Sequence, residues 1–358
     1  MIPQRNIIET SRTLREAIDK LNKLSGSEMT LMVVDNSDNM LLVGTLTDGD
    51  VRRALLEGIS LDKPVSEAMF RGFRKLWADT VDKVDTMRHL RKAGITMVPV
   101  VDTDGRLVDV FDLARKPTCL PMRAVLMAGG RGERLGQLTK DTPKPLLEVD
   151  GKAIIDYNVE ALARVGIDDM TVCTRYLAEK IYDHFSQPVG GVKVKCVTED
   201  KPLGTIGAVT LMPGQKDGIT LVMNSDLLTT VSFEDMYIHH RDAGADVTVG
   251  VVPYQVSVPF AILTVEGNDV TGIEEKPSYS HYANGGIYIF NNKILDMLEP
   301  GEPADAPDLI RRAIDAGCKV TYFVITGTWI DVGSPTDFSH AAELMRHLRN
   351  LRESVPEF

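Results

Sequence analysis

An apolar run, residues 124–127, leads into the loop AGGRGERLGQLTKDTPKPLLEV, residues 128–149. The loop holds four glycines, two prolines and the cations Arg131, Arg134, Lys140 and Lys144. A strand ending in Ala-Gly-Gly leaves backbone N–H groups uncovered, which makes a nest for an anion or a rest for the edge of a base. The two best-known phosphate loops do not fit. GxxxxGK[ST] fails from every glycine, and GxGxxG begins at Gly130 but meets Leu135 where its third glycine belongs. The loop is still rigid and charged. Lys144 stands between Pro143 and Pro145, which restrict the backbone and pre-place one cation. Arg134 can fork onto phosphate oxygens.

From residue 122 onward strand and helix signals alternate, which predicts a mixed, mainly parallel α/β sheet flanked by helices. One core rarely grows past ~250–300 residues, so a chain of 358 is expected to hold a second domain. The front third contains two similar stretches. Each opens with apolar residues at helical spacing: Leu14, Ile18 and Leu21, then Val81, Val84 and Met87. A short strand follows at 31–34 and at 97–101, then a turn rich in Asp, Asn or Gly, then another strand. ARKPTCLPM, residues 114–122, carries two prolines and no periodicity. The expected division is 1–116, a linker at 117–121, and 122–358.

Charge follows that division. Residues 1–120 carry 18 basic and 18 acidic side chains, so the whole net charge of −11 lies in the remainder. An acidic domain binds nucleic acid poorly, because a polyanion needs a basic face. It can still take one small polyanion where a few cations converge. The four cysteines form no CxxC pair and read as reduced and mostly buried thiols. No apolar run approaches the ~18 residues of a membrane helix, and the first residues show no signal-peptide core. A cytoplasmic protein with no membrane partner is expected. His239 and His240, in FEDMYIHHRDAG, read as part of a helix with a solvated face. Residues 337–353 read as a last amphipathic helix.

Helix–strand–turn–strand, twice over residues 6–116, resembles a tandem pair of CBS domains. In that family the segment written here as GTLTDGD contacts an adenosine nucleotide. The resemblance implies that Thr47 and Asp50 meet ribose and phosphate, and that Gly44 lets the backbone approach closely. The second copy departs, with Asp109, Asp112 and Arg115 at the positions of Gly44, Thr47 and Asp50. AMP or ATP in the first copy is one reading; a pure dimerisation module is the other. A homo-oligomer is expected.

The glycine loop with its sequel DGKAIIDY resembles the signature of sugar-1-phosphate nucleotidyltransferases. Four further motifs keep that family's order: EDKPLGTIGAV (199–209), LVMNSDLL (221–228), IEEKP with YANGGIYIF (273–290) and GTWIDVGSPTDF (327–338). Together they cover about 122–345. The resemblance implies transfer of a nucleotidyl group from a nucleoside triphosphate to a sugar-1-phosphate, with release of pyrophosphate. The attacking phosphate is already an anion, so positioning, cations and Mg²⁺ take the place of a general base. Asp226 and Asp331 are the implied Mg²⁺ ligands. Arg134 is implied to grip the β- and γ-phosphates, Lys144 the α-phosphate and Lys276 the sugar phosphate. Glu275, Asn284 and Gly285 are implied to form the sugar pocket. Gly129, Gly130, Leu203 and Gly204 are implied to meet base or ribose, mostly through backbone. Trp329 packs on the sugar or fills the core. PLGTIGA resembles guanylyltransferases acting on mannose-like or glucosamine-like 1-phosphates, with UTP, dTTP and CTP as alternatives. The reading from another class is a nucleotide sensor with an inactive transferase domain. It predicts erosion among Arg134, Lys144, Asp226, Lys276 and Asp331, and all five are present. The hexapeptide repeats that some relatives append are missing, so acetyltransferase activity is not implied.

Overall fold

The structure is a computed structural model and describes residues 4–24, 26, 29–212 and 217–353. It divides into two compact units, Met1–Pro121 with Arg164–Gly166, and Met122–Ala163 with Ile167–Phe358.

In the first unit the sequence repeat is a structural one. β1 (Ile7–Glu9), α1 (Leu14–Leu21), β2 (Thr30–Val34), β3 (Leu42–Thr47) and α2 (Asp48–Leu56) make the first copy. β4 (Leu76–Trp77), α3 (Val84–Lys92), β5 (Met97–Val101) and β6 (Leu107–Asp112) make the second. Both three-stranded sheets join a parallel pair to an antiparallel pair, and their registers shift at Val33/Val34 and at Val100/Val101. Thr13 and Glu16 start α1 with a reciprocal capping box. Leu14, Ala17 and Leu21 then pack with Leu31, Val33 and Leu46. The second helix begins later than the stripe Val81, Val84, Met87 predicts. Asp82 accepts from Val84 N–H at 3.0 Å and so opens the helix beyond Val81, which is 82% exposed. The buried stripe is Val84, Met87 and Leu90. The segment 117–121 is irregular, yet Thr118 and Leu120 are buried and Leu120 N–H donates to Val165 O at 3.0 Å.

The second unit runs β7 (Arg123–Ala128), β8 (Glu148–Val149), β9 (Lys152–Ala153), α4 (Ile154–Arg164), β10 (Met170–Thr174), α5 (Ala178–His184), β11 (Lys195–Thr198), β12 (Ile219–Asn224) and β13 (Leu227–Thr229). It continues through α6 (Phe233–Asp242), β14 (Val247–Ser257), β15 (Ile262–Glu266), β16 (Asp269–Glu274), β17 (Ser278–Asn291) and α7 (Asn292–Leu295). It closes with α8 (Ala306–Asp315), β18 (Val320–Val324), β19 (Trp329–Asp331) and α9 (Pro335–Glu353). The central sheet has the order β11-β10-β7-β12-β17-β14-β18, and β17 alone runs against its neighbours. The sheet is thus mainly parallel. Such strands are covered on both faces, which explains the unbroken apolar runs: all five residues of β10 are buried, as are Ala124, Val125 and Leu126 of β7. β10 and β12 flank β7, so its C-terminal end opens into the crevice where parallel strands stop. Apart from this sheet, β13 and β19 form a two-stranded ribbon with Leu227 opposite Asp331.

The helix expected around His239 and His240 is α6, but His240 is not on a solvated face. It is 2% exposed. Its Nδ1 meets Thr248 Oγ1 at 2.9 Å and its Nε2 meets Asn291 Oδ1 at 3.2 Å, so the polar ring is satisfied inside. Among the described residues no helix is long and apolar enough to cross a membrane.

Candidate active site

The glycine loop leaves β7 through bends at Gly132 (φ +65°) and Gly136 (φ +56°), a region that side chains disfavour. Buried Thr139 donates from Oγ1 to Gly132 O at 2.9 Å, and Tyr176 Oη donates to Lys140 O at 2.8 Å. The loop's stiffness therefore comes from side-chain ties as well as from its prolines.

Asp226 follows β12 and Asp331 ends β19. The ribbon brings these carboxylates to either side of one point. Lys144 fills the space between them. Its ammonium pairs with Asp226 and lies 3.4 Å from Asp331 Oδ1. The Lys144 side chain is 9% exposed, whereas Asp331 is 42% exposed. Asp226 Oδ1 is buried without a hydrogen-bond partner. Behind Asp226, the buried Asn158 of α4 donates to Ser225 O at 3.3 Å and to Leu227 O at 2.8 Å. Ser225 Oγ donates to Met127 O at 2.7 Å, which fixes the same turn to β7. Arg134, exposed, reaches back toward the ribbon. One guanidinium nitrogen lies 3.2 Å from where a Cβ on residue 333 would be, in space that Gly333 leaves open.

Glu199, just after β11, sits at the other end of the loop, and sequence reasoning did not single it out. It is 5% exposed, and its Oε1 is 2.6 Å from where a Cβ on Gly129 would be, so a side chain at 129 would displace the carboxyl. Its Oε2 accepts from Leu203 N–H at 3.0 Å. Burial pushes the Glu199 carboxyl above its ordinary value, while the Leu203 hydrogen bond and the Arg175 charge pull the other way. Leu203 is buried, and Gly204 (φ +75°) presses against Ala304 O, 2.5 Å from an ideal Cβ. Thr205 N–H donates to Asp305 Oδ1 at 2.9 Å. The expected base-side residues are thus docked on the segment that starts α8. Gly130, by contrast, is exposed, with open space around its Cβ position.

Toward β17, the Asn284 amide donates to Tyr288 Oη at 2.8 Å, and its Oδ1 accepts from Gly286 N–H at 3.0 Å. Trp329 donates its indole N–H to Gly285 O at 2.8 Å, so it ties the ribbon to β17. Glu275 and Lys276 are exposed between β16 and β17. Lys276 adopts φ +46°, a conformation unusual for a side-chain-bearing residue and frequent at functional sites. Among the described residues no hydrogen bond or ion pair joins Glu275 or Lys276 to the Lys144 cluster.

In the first unit, Thr47 and Asp50 form a capping box at the start of α2, and Asp50 also pairs with Arg53. Met69 Sδ lies 2.7 Å from where a Cβ on Gly44 would be. The second copy has a turn where α2 would be. There Asp112 accepts from Ala114 N–H at 2.9 Å and lies 3.5 Å from Arg115.

Two carboxylates with an open buried lone pair suit a hard divalent cation whose remaining ligands are phosphate and water oxygens. Among the described residues no cluster of three or more His, Cys, Asp or Glu could hold a metal unaided.

Comparison with known proteins finds the nucleotidyl transferase family over residues 123–347 and the CBS domain over residues 1–57. A mannose-1-phosphate guanyltransferase of Schizosaccharomyces pombe is 32% identical over 246 residues, which are 66% of this chain and 67% of the relative. The mannose-1-phosphate guanylyltransferase catalytic subunit beta of Dictyostelium discoideum is 30% identical over 245 residues, again 66% of this chain and 67% of that one. A Bacillus anthracis structure in complex with sucrose, described as a glucose-1-phosphate thymidylyltransferase, shares the fold. It has a TM-score of 0.50 and 23% identity, and the match covers 66% of this chain and 97% of that one.

Proposed function

Because the chain belongs to the nucleotidyl transferase family and opens with a CBS domain, we propose that it transfers the guanylyl group of GTP to a mannose- or glucosamine-like sugar-1-phosphate. A phosphate oxygen of the sugar attacks the α-phosphorus, the bond to the β-phosphate breaks, and pyrophosphate leaves. The nucleophile needs no base, so the work is to gather two polyanions and hold their charge. Arg134 takes the leaving phosphates, Lys144 the α-phosphate and Lys276 the sugar phosphate. Glu275, Asn284 and Gly285 receive the sugar. Asp226 and Asp331 would hold Mg²⁺. Mg²⁺ held there would supply positive charge to offset that of the phosphates.

The observation that carries this reading is the convergence of Lys144, Asp226 and Asp331 at the strand ends beside the glycine loop. Glu199 supports guanine in particular. Guanine offers two adjacent donors, N1–H and the 2-amino group, and a buried carboxylate with free lone pairs accepts both. Uracil and thymine offer one. At the first unit the match to the CBS family supports an adenine nucleotide as regulator, with Gly44, Thr47 and Asp50 as its expected contacts; Thr47 and Asp50 now cap α2 through each other.

The test is pyrophosphate release, with GTP, UTP, dTTP and CTP crossed against mannose-, glucosamine- and glucose-1-phosphate. GTP with one of the first two sugars is the expected pair, and Glu199→Gln should lower its kcat/KM by about ten- to hundred-fold. Equal use of UTP by wild type would discard the guanine assignment. Silence with every pair would discard the transfer. Adding AMP or ATP to wild type and Asp50→Ala reads the regulatory site, and an identical response in both discards it.

A further inference from the structure

Lys144 stands between Asp226 and Asp331, the two carboxylates proposed above to hold a metal ion. A buried ammonium is costly unless paired, and this one is paired twice, with Asp226 and with Asp331. Its backbone is held by Pro143 and Pro145, and its Cβ packs 3.2 Å from the Cβ position of Gly132. The ammonium is therefore anchored at its base and free only along its flexible stem. Asp226 keeps one buried oxygen, Oδ1, without a partner. The site thus has acceptor capacity for a cation while already containing one.

We infer that Lys144 is a resident counter-ion that keeps divalent metal out of the nucleotide-free site, so that metal enters only together with a triphosphate. This rests on Asp226 and Asp331 being the metal carboxylates. A divalent ion placed between them would lie against the ammonium, and like charges a few ångströms apart in a half-buried site repel strongly. A triphosphate changes both sides of the balance. It gives the ammonium a new anion, and it gives the ion the oxygens that two carboxylates do not supply. Lys144 swings from the carboxylates to the phosphate, and the ion takes its place. Metal and nucleotide affinities are then coupled, each raising the other by the same factor.

The experiment is Mn²⁺ titration, read by the paramagnetic resonance of free Mn²⁺ and by calorimetry, on the full chain without sugar. Nucleotide-free wild type should bind Mn²⁺ weakly, and Lys144→Met should bind it about ten-fold more tightly or better. Lys144→Arg keeps the charge and should still exclude the ion. Equal affinity in wild type and a folded Lys144→Met overturns the inference. If Lys144→Met does not fold, Lys144→Gln, which also removes the charge, is titrated in its place and read the same way. In wild type, Asp226-dependent Mn²⁺ binding as tight without GTP as with it, after correction for the complex between Mn²⁺ and free GTP, also overturns the inference. Asp226→Asn separates the two layers. If that variant binds Mn²⁺ with GTP as wild type does, the metal assignment itself fails.

Discussion

Asn158 carries no charge and touches no reacting group, yet the position of Asp226 depends on it. Its amide donates to the carbonyls on both sides of that residue, Ser225 O and Leu227 O, from a side chain 2% exposed. Replacing it by alanine leaves two carbonyls without donors in a place water does not reach, a cost of about 1–3 kcal/mol each. Asn158→Ala should therefore lose stability in urea unfolding and also need more Mg²⁺ for half-maximal turnover, because the turn that aims the carboxylate is released. A loss of stability with an unchanged Mg²⁺ requirement would reduce Asn158 to a packing residue. Gly333 works by the opposite means: the side chain it lacks is the room that Arg134 occupies.

Two short elements assemble the site, and neither is part of the main sheet. The β13–β19 ribbon brings together acids more than a hundred positions apart. The segment 203–207 is fastened to 304–306 by Thr205 and Asp305, and by Ala304 N–H donating to Leu203 O at 3.0 Å. Gly204 is the tight point of that second joint. An alanine there meets φ +75° and a carbonyl 2.5 Å from its Cβ. Gly204→Ala should cost about 1–3 kcal/mol and raise the KM for the nucleotide more than that for the sugar; equal effects on both would refute a base-side role. The contrast between these joints and the strands shows what local pattern can reveal. β5, β7, β10 and β12 are apolar runs, and the capped helix α1 has its stripe, so each is visible in its own window. The cations and acids of the loop and ribbon were visible because each lies in a motif. The partners that position them were not, because they lie far away in sequence: Asn158 from Leu227, Trp329 from Gly285, Lys144 from Asp331. A signal for Asn158 did exist, an amide inside the buried stripe Ile154, Ile155, Val159, Leu162. Glu199 lay within a quoted motif, but only its contact with Gly129 marks it as special.

At the scale of the whole molecule, two buried titratable groups tilt stability in opposite directions with pH. Burial pushes His240 below its ordinary 6.5, despite the Asn291 hydrogen bond and the Asp246 charge that pull it up. The unfolded chain then takes up a proton near 6.5 that the folded chain refuses. Stability from His240 is present above 6.5 and lost as pH falls through the folded value. Burial raises Glu199 above 4.5, so the folded chain keeps a proton that the unfolded chain releases. Stability from that group is present below 4.5 and lost as pH rises through the folded value. Glu199 is therefore an acid whose ionised form the empty fold disfavours, and a bound base with two donors would relieve that. Thermal melts across this range should show His240→Gln with a flatter acid limb than wild type. Glu199→Gln should gain on wild type as pH rises from 4.5. If guanine binds the carboxylate as proposed, added GTP should stabilise wild type by an increment that grows over the same rise. An increment independent of pH, or one equally large in Glu199→Gln, would separate Glu199 from the base and leave its burial without a functional cause.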